Sequence, residues 1–333
     1  MTNEHEYQTG ILGAGWLGLP LARVLQESGQ RVVVTVSSAE KAEQLRGEGI
    51  AAWPLLLAPE MGALPFRCHD LVICVPPSKT LDYPASVAFK HMGEDISAAT
   101  KGKFASLYGI PDVSPLAELM GLERDLALVA MTGARYHADQ VTVAASLPAL
   151  GRARDAGLDV TAGISIHHLT LNEYDVGGYR TFFRFTPPLR SEDDRLAMIE
   201  AVAGGVIDII ASFHTPQDEE SKRLPFAEAA PGAVGLQTLL PAAMRLYQQG
   251  GLSLPQLWRA MSLNPAKRLG LDAGRLGAGA PADLVLFDPD APFVLDRFTL
   301  RSKSKNTPFD GARMEGRVLG TWVAGQRVYG GEP

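Results

Sequence analysis

The chain has 333 residues, of which 46% are hydrophobic and 20% are charged, and its formal net charge is −6 at pH 7. This composition is typical of a globular protein with an ample apolar core, and the length is enough for two domains. An acidic chain gives no electrostatic reason to expect nucleic acid or an anionic membrane surface as a partner. We therefore expect the ligand to be a small molecule.

The cysteine count and the apolar runs bear on the cellular compartment. Only Cys68 and Cys74 are present, which are too few for a disulfide framework and lack the second pair of a zinc knuckle. Residues 1–8 carry charges where a signal peptide has an apolar core, and no run approaches the ~18 apolar residues that span a bilayer. The sequence predicts a cytoplasmic protein that does not span a membrane.

The first motif is a glycine-rich turn between an apolar run at 9–14 and a helical pattern. It reads Gly13-Ala14-Gly15-Trp16-Leu17-Gly18. In such a turn two glycines let backbone N–H groups approach a pyrophosphate, and a third lets the helix pack closely on the strand. The order of strand, turn and helix favours a dinucleotide site, for which the predicted binding residues are Gly13, Gly15, Trp16, Leu17, Gly18 and Ser37.

Alternating β and α elements continue after this turn. Strands are predicted at 31–36, 50–57 and 70–75, with a helix at 39–47, so a parallel sheet is expected. The segment resembles the start of an atypical extended short-chain dehydrogenase/reductase. That resemblance implies a Rossmann-like NAD(P)-binding unit over residues 1–90.

The end of the second strand distinguishes between the two nicotinamide cofactors. A carboxylate at this point would bind the ribose hydroxyls of NAD, and this chain has Ser37 and Ser38 with Lys41 nearby. The sequence therefore favours NADP. No Tyr-x-x-x-Lys pair follows, so the resemblance implies a cofactor loop without a catalytic base. The alternative is that the glycines only form a tight turn in a unit that binds no nucleotide.

The C-terminal two-thirds of the chain contains a series of short phrases, among them Met131-Thr132-Gly133-Ala134-Arg135-Tyr136-His137, Ser165-Ile166-His167-His168-Leu169-Thr170-Leu171, Thr186-Pro187-Pro188-Leu189-Arg190, His214-Thr215-Pro216-Gln217 and Leu263-Asn264-Pro265-Ala266. In number and order, over residues 94–329, they resemble those of dihydroorotases of the amidohydrolase superfamily. The likeness is closest to the alphaproteobacterial branch.

This resemblance implies an α/β architecture in which the Rossmann-like unit is joined to a partial amidohydrolase-type (β/α) TIM barrel. The domain comprises residues 91–333, with the barrel over 91–275 and a small C-terminal β-sandwich segment over 276–333. A barrel cut to its later strands would leave unpaired strand edges. We expect the N-terminal unit or a second copy of the chain, as a homo-oligomer, to cover them.

The periodicity of the apolar residues predicts strands and helices of this kind independently of the family resemblance. It predicts strands at 134–143, 158–164, 206–213, 282–287 and 317–328, and a helix at 195–203. Polar side chains stand near the ends of the three barrel strands, where a TIM barrel places its active site. They are Gln140, His168 and His214.

The resemblance also implies a zinc site, and most of its ligands are missing here. Relatives hold zinc with a His-x-His pair, a carboxylated lysine or carboxylate, two later histidines and an aspartate, and no His-x-His occurs in this chain. His168 matches one later histidine. Gln140 and Phe213 stand where the other histidine and the aspartate would be. Because neither an amide nor a benzyl group is a good zinc ligand, His168 is the sole metal candidate.

Other positions bear on substrate binding. Thr186 replaces the asparagine that contacts substrate in active relatives, whereas Arg190 and His214 are retained. We expect these residues, with Gln140 and His168, to line a vestigial pocket. A second polar site, formed by His137 and Asp139 on one strand face, is an alternative.

Several functions remain open at this point. The first is a catalytically impaired dihydroorotase-like protein of pyrimidine biosynthesis, a pseudoenzyme or scaffold whose partner could be aspartate transcarbamoylase, as for non-catalytic relatives. The second is an NADP-binding oxidoreductase-like protein. The third is an active zinc dihydroorotase that hydrolyses a cyclic amide. A recombined gene product is a further alternative.

Overall fold

The computed structural model describes residues 6–12, 18–36, 38–54, 67–73 and 98–330. The chain forms two compact units that alternate along the sequence. The first comprises Met1–Asp95, Ala117–Ala138 and Ala149–Val160, and the second comprises Ile96–Leu116, Asp139–Pro148 and Thr161–Pro333. The domain boundary expected near residue 90 from the sequence stays a prediction.

The first unit contains a four-stranded parallel sheet. Its strands are β1 (Glu6–Leu12), β2 (Val32–Val36), β3 (Ala51–Pro54) and β4 (Arg67–Ile73), in the order β3-β2-β1-β4. Thr9 of β1 pairs with Val32 of β2, and the β1–β4 and β2–β3 pairs are also parallel. The sequence correctly predicted parallel strands, and the Rossmann-like NAD(P)-binding unit stays a prediction.

Helices α1 (Gly18–Glu27) and α2 (Ala39–Gly47) connect these strands. Helix α2 has the predicted bounds because the Ser38 hydroxyl caps it by accepting from the Lys41 N–H. Buried Ile11, Val34 and Leu45 belong to the core between helices and sheet. Of the six predicted nucleotide-binding residues only Gly18, the first residue of α1, lies within the described part of the chain.

The remaining elements follow in chain order. They are β5 (Ala99–Thr100), α3 (Lys103–Tyr108), β6 (Asp112–Val113), α4 (Leu116–Thr132), β7 (Tyr136–Ala138), α5 (Leu147–Asp155), β8 (Val160–Ser165), α6 (Ile166–Thr170), α7 (Glu192–Ala203), β9 (Ile209–Ala211), α8 (Glu219–Arg223), α9 (Leu239–Gln248), α10 (Leu254–Trp258), a π-helical turn (Arg259–Leu263), α11 (Asn264–Leu269), β10 (Leu284–Val294), β11 (Arg313–Val323) and β12 (Gln326–Tyr329).

Two predicted barrel strands are shorter than expected for the same reason. Strand β7 replaces the predicted 134–143, and Gln140 beyond it has a left-handed φ of 59°. Strand β9 replaces the predicted 206–213, and Phe213 beyond it has a φ of 46°. A left-handed residue cannot continue a strand, so each segment turns before the predicted end.

Within the second unit, β8 and β9 pair in parallel, with Ile164 opposite Ile210. Helix α7 begins three residues before the predicted 195–203, because the Ser191 hydroxyl caps it by accepting from the Asp194 N–H. Within the first unit, β4 lies beside β7. The expectation that the N-terminal unit or a second copy covers the strand edges stays a prediction.

The C-terminal segment forms an antiparallel sheet in the order β10-β11-β12. The predicted strand at 317–328 is a hairpin, because Ala324 and Gly325 between β11 and β12 both have positive φ, as a tight two-residue turn requires. In the described part of the chain this sheet has three strands, and the second layer of the expected sandwich stays a prediction. No described helix has the length and apolarity needed to cross a membrane.

Candidate functional site

His168 lies just beyond β8 and is 3% exposed. The sequence predicted it as a strand residue, whereas it belongs to the short helix α6, which starts because the Ser165 hydroxyl accepts from the His168 N–H at 3.2 Å. The imidazole Nδ1 lies 2.7 Å from Ser165 Oγ, and Nε2 lies 3.0 Å from the Pro187 carbonyl oxygen. Both ring nitrogens are therefore engaged by the protein.

These contacts fix the tautomer of His168. The Pro187 carbonyl can only accept, so Nε2 carries the proton and donates to it, and Nδ1 accepts from the Ser165 hydroxyl. Burial and the nearby Arg190 guanidinium lower the pKa of His168 to about 4, against the raising effect of the Pro187 carbonyl. The side chain is a neutral imidazole held at both ends, and it would have to give up one of these hydrogen bonds to bind a metal.

His167 is fully buried beside it. We expected it to pack or to point outward, and it packs: its ring lies 4.9 Å from the ring of Phe185 and 5.8 Å, stacked, from that of Phe309. Neither ring nitrogen makes a hydrogen bond of ordinary geometry with the described residues, although the Val234 backbone approaches closely enough to raise the pKa somewhat. Burial outweighs this effect and lowers the pKa of His167 to about 3.

Gln140 and Phe213 occupy two positions at which the resemblance implies metal ligands. Gln140 is buried, its Nε2 donates to Asp139 Oδ1 at 3.1 Å, and its Oε1 has no hydrogen-bond partner within the described ranges. Both residues have left-handed backbone, which is uncommon outside glycine and is strained for phenylalanine. The backbone at both positions turns sharply, and the side chains offer no metal ligand.

Arg190 provides a buried cation in the same unit. Its Nε donates to Thr142 Oγ1 at 3.0 Å, and its Nη1 lies 3.5 Å from Thr100 Oγ1. All three side chains are at most 3% exposed. A guanidinium presents donors in a planar fork that suits carboxylate and phosphate groups.

His214 follows β9 and is half-buried. Its Nδ1 accepts from the backbone N–H groups of Gly235 and Leu236, at 3.1 and 3.3 Å. The proton therefore lies on Nε2, and burial lowers the pKa of the ring. Thr186 is also half-buried, and its hydroxyl lies 3.4 Å from Arg184 Nη1. Neither residue lies within hydrogen-bond distance of His168 in the contacts described here.

The alternative polar site of His137 and Asp139 stays a prediction. His137 lies in β7 and is half-buried, whereas Asp139 is exposed, accepts from Gln140 and belongs to the other compact unit. The nucleotide-loop residues Gly13, Gly15, Trp16 and Leu17, with Ser37, lie outside the described residues. Their predicted role stays a prediction.

The described residues of this region do not fit a hydrolytic zinc ion. In the described part of the chain, no three His, Cys, Asp or Glu side chains lie close enough to hold a metal. The single matching histidine, His168, has both nitrogens engaged. Zinc was implied by the resemblance, and the residues that the structure describes do not supply a full set of its ligands.

Sequence reasoning missed three residues that shape this region. Ser165 orients His168, as described above. Gly235 has no room for a side chain, because a Cβ would lie 2.0 Å from the Ser212 carbonyl oxygen. Lys222 is 5% exposed, and its Nζ donates to the carbonyls of Thr181 and Ala230 at 3.0 and 2.6 Å. The run of charged residues at 218–223 is typical of a solvated loop, so the sequence carries no signal for the burial of Lys222.

The fold and the amino-acid sequence define the class of protein. Residues 113–328 match the model of the amidohydrolase family. The chain therefore belongs to the amidohydrolase family. Solved structures similar in fold include an L-hydantoinase from Arthrobacter aurescens (TM-score 0.69, 22% identity, 90% of this chain and 69% of that one) and a dihydropyrimidinase from Brevibacillus agri (TM-score 0.67, 20% identity, 97% and 77%).

Within the family the chain is dihydroorotase-like. It is 39% identical over 258 residues to a dihydroorotase from Desulforapulum autotrophicum, which covers 75% of this chain and 60% of the relative. It is 38% identical over 260 residues to a dihydroorotase-like protein from Pseudomonas aeruginosa, covering 76% and 61%. The chain thus spans about three-fifths of the length of these relatives.

These matches also bear on the N-terminal segment. The fold similarity to the dihydropyrimidinase covers 97% of this chain and so extends well beyond the 113–328 family match. All the matches reported above are to amidohydrolases and related ring-opening enzymes, and they lend no support to an NADP-dependent reductase. The resemblance to a short-chain dehydrogenase stays a prediction.

Proposed function

We propose that the chain is a dihydroorotase-like protein of pyrimidine biosynthesis that holds no hydrolytic zinc and is catalytically impaired. The observation that carries the proposal is the state of His168, whose two ring nitrogens are engaged by Ser165 and Pro187. A dihydroorotase needs zinc to generate hydroxide at neutral pH and to polarise an amide carbonyl. A histidine held in this way would have to break one of these hydrogen bonds to contribute to such a site.

The neighbouring positions support the same conclusion. Gln140 offers only an amide, and Phe213 offers neither a ligand nor a proton-transfer group where the family has an aspartate. What the region retains is a binding function. We assign the anionic part of a small-molecule ligand to Arg190, because a guanidinium fork matches carboxylate and phosphate groups.

A protein of this kind would act through its contacts. The resemblance implies aspartate transcarbamoylase as a partner, and we propose this role as a scaffold. Co-purification of that enzyme with the parent chain and with the Arg190→Ala variant tests this role. Co-purification with both would indicate a scaffold role. Co-purification with the parent chain alone would indicate a role that requires the bound ligand.

Metal analysis of the purified full chain tests the proposal. We expect far less than one zinc per chain after dialysis against zinc, and no cyclisation of carbamoyl aspartate or hydrolysis of dihydroorotate. Near-stoichiometric zinc, together with activity that a chelator removes, would instead make the chain an active zinc dihydroorotase. The names of the relatives favour that second candidate, so both assays are needed.

A further inference from the structure

A cavity lies within the second unit, between helix α9 and the C-terminal sheet. Its volume is about 510 Å³, and it is lined by Arg245 and Gln248 of α9, by residues 292–294 at the end of β10 and by residues 313–315 at the start of β11. These residues are distinct from those around His168. A cavity of this size suits a small organic molecule.

Tight packing between α9 and β11 holds the walls of this cavity in place. Met244, which precedes Arg245, is fully buried, and a Cβ at Gly316 of β11 would lie only 2.6 Å from its Cγ. On the strand side, Phe293 of β10 pairs with Met314 of β11 in the antiparallel ladder. Because the lining belongs to a packed helix and to paired strands, the cavity is formed before any ligand binds.

Arg245 brings a half-buried guanidinium to the cavity. Its Nη2 donates to the Arg313 carbonyl oxygen at 3.3 Å, and its Cζ lies 5.2 Å from the centre of the buried Phe309 ring. Burial lowers the pKa of this guanidinium against the raising effect of Asp175. An arginine carries five N–H donors and keeps its charge in proteins, so most of its hydrogen-bonding capacity remains available to a ligand.

The charges of the lining indicate the charge of that ligand. Arg313 and Glu315 line the cavity together with Arg245, and within the described residues none of the three forms an ion pair. Two guanidiniums and one carboxylate leave one positive charge in excess, which a monoanion neutralises. The planar fork of a guanidinium matches a carboxylate, and the ring of Phe293 offers apolar surface to the remainder of the ligand.

We propose that this cavity binds a small organic monoanion, a carboxylate attached to an apolar group, and that Arg245 binds the carboxylate. The proposal requires neither zinc nor Arg190 and is therefore independent of the proposed function. The competing explanation is that Arg245 only covers Phe309 with its side chain.

Isothermal titration with phenylacetate tests the proposal, because this probe joins a carboxylate to a single apolar ring. The titration uses the full chain carrying Arg190→Ala, which removes the other cation to which we assign an anionic ligand. We expect saturable binding of one phenylacetate per chain. Phenylacetamide, which has the same shape without the charge, should bind at least about tenfold more weakly. Absence of saturable phenylacetate binding, or equal binding of the two probes, would overturn the proposal.

The variant Arg245→Met, made in the same background, tests the residue that binds the carboxylate. It retains an unbranched side chain over Phe309 and removes every donor, so the dissociation constant of phenylacetate should rise at least about tenfold. Arg301→Met is the matched control, because Arg301 also lies over an aromatic ring, that of Tyr329, and is outside the cavity. Binding that Arg245→Met leaves unchanged would mean that Arg245 only packs on Phe309.

Glu315→Gln tests the same site in the opposite direction. Glu315 is half-buried and makes no ion pair within the part of the chain that the structure describes, so this variant should fold even if Arg245→Met does not. Removing the one carboxylate of the lining should tighten phenylacetate binding several-fold, because a like charge no longer opposes the ligand. An unchanged or weaker affinity in Glu315→Gln would contradict the proposal.

Discussion

At the residue scale, Gly235 is the position with the least tolerance for change. Its N–H donates to His214, and a Cβ would lie 2.0 Å from the Ser212 carbonyl oxygen and 3.1 Å from Cε1 of His167. We expect Gly235→Ala to lower the free energy of unfolding by about 2–4 kcal/mol, because backbone on both sides must shift. Urea unfolding measures this change.

The matched control is Gly151→Ala in α5, where a Cβ meets nothing within 4 Å. Alanine has a higher helix propensity than glycine, so this variant should be up to about 1 kcal/mol more stable than the parent. If Gly235→Ala were as well tolerated as Gly151→Ala, the close packing of Ser212 and His167 around Gly235 would be wrong.

Lys222 makes the free energy of unfolding depend on pH, and its lowered pKa gives the direction of that dependence. Burial, reinforced by Arg184, lowers the pKa of its ammonium from 10.5 to about 7 in the folded chain. Between pH 7 and 10.5 the unfolded chain holds a proton that the folded chain has released, so stability rises with pH across this window. Below pH 7 both states are protonated, and this contribution no longer changes.

The comparison with Lys222→Met isolates this effect. The free energy of unfolding of the parent chain should rise relative to that of the variant by about 1.4 kcal/mol per pH unit from pH 7 upward. Chemical unfolding at pH 7, 8 and 9 measures it. A constant difference between the two proteins over this range would show that Lys222 has an ordinary pKa and that its burial is not retained in solution.

At the scale of the element, periodicity and capping predicted the ends of some helices and strands and failed to predict others. Helix α2 was predicted with its observed bounds, since Ser38 is a strong cap before a regular pattern. The ends of β7 and β9 were wrong, because neither Gln140 nor Phe213 is a residue that signals left-handed backbone. Only the tertiary structure holds those two residues in that conformation.

Some properties of the candidate site could likewise be predicted from the sequence, and others could not. Residue identity was enough to predict that Gln140 and Phe213 supply no metal ligand, because this follows from their chemistry alone. The engagement of both nitrogens of His168 could not be predicted, since it depends on Pro187, which is 19 residues away in sequence. The burial of Lys222 was missed for a similar reason: its two carbonyl partners come from Thr181 and Ala230.

At the scale of the whole molecule, the proposed absence of zinc can be tested by introducing family ligands at positions 140 and 213. The backbone at Gln140 and Phe213 is left-handed, which histidine and aspartate tolerate better than most residues do. The double variant Gln140→His/Phe213→Asp should therefore fold, with a thermal midpoint close to that of the parent. A histidine and an aspartate, two types of zinc ligand in the family, would then occupy positions 140 and 213.

We expect this double variant to remain without stoichiometric zinc. His168 stays engaged by Ser165 and Pro187, and the chain has no His-x-His pair anywhere in its sequence. Two new side chains cannot complete a catalytic site that needs at least three protein ligands. Metal analysis after dialysis against zinc measures the outcome, with the parent chain as control. One tightly bound zinc per chain in the variant would mean that His168 exchanges its protein partners for metal, and that the site was disabled only at Gln140 and Phe213.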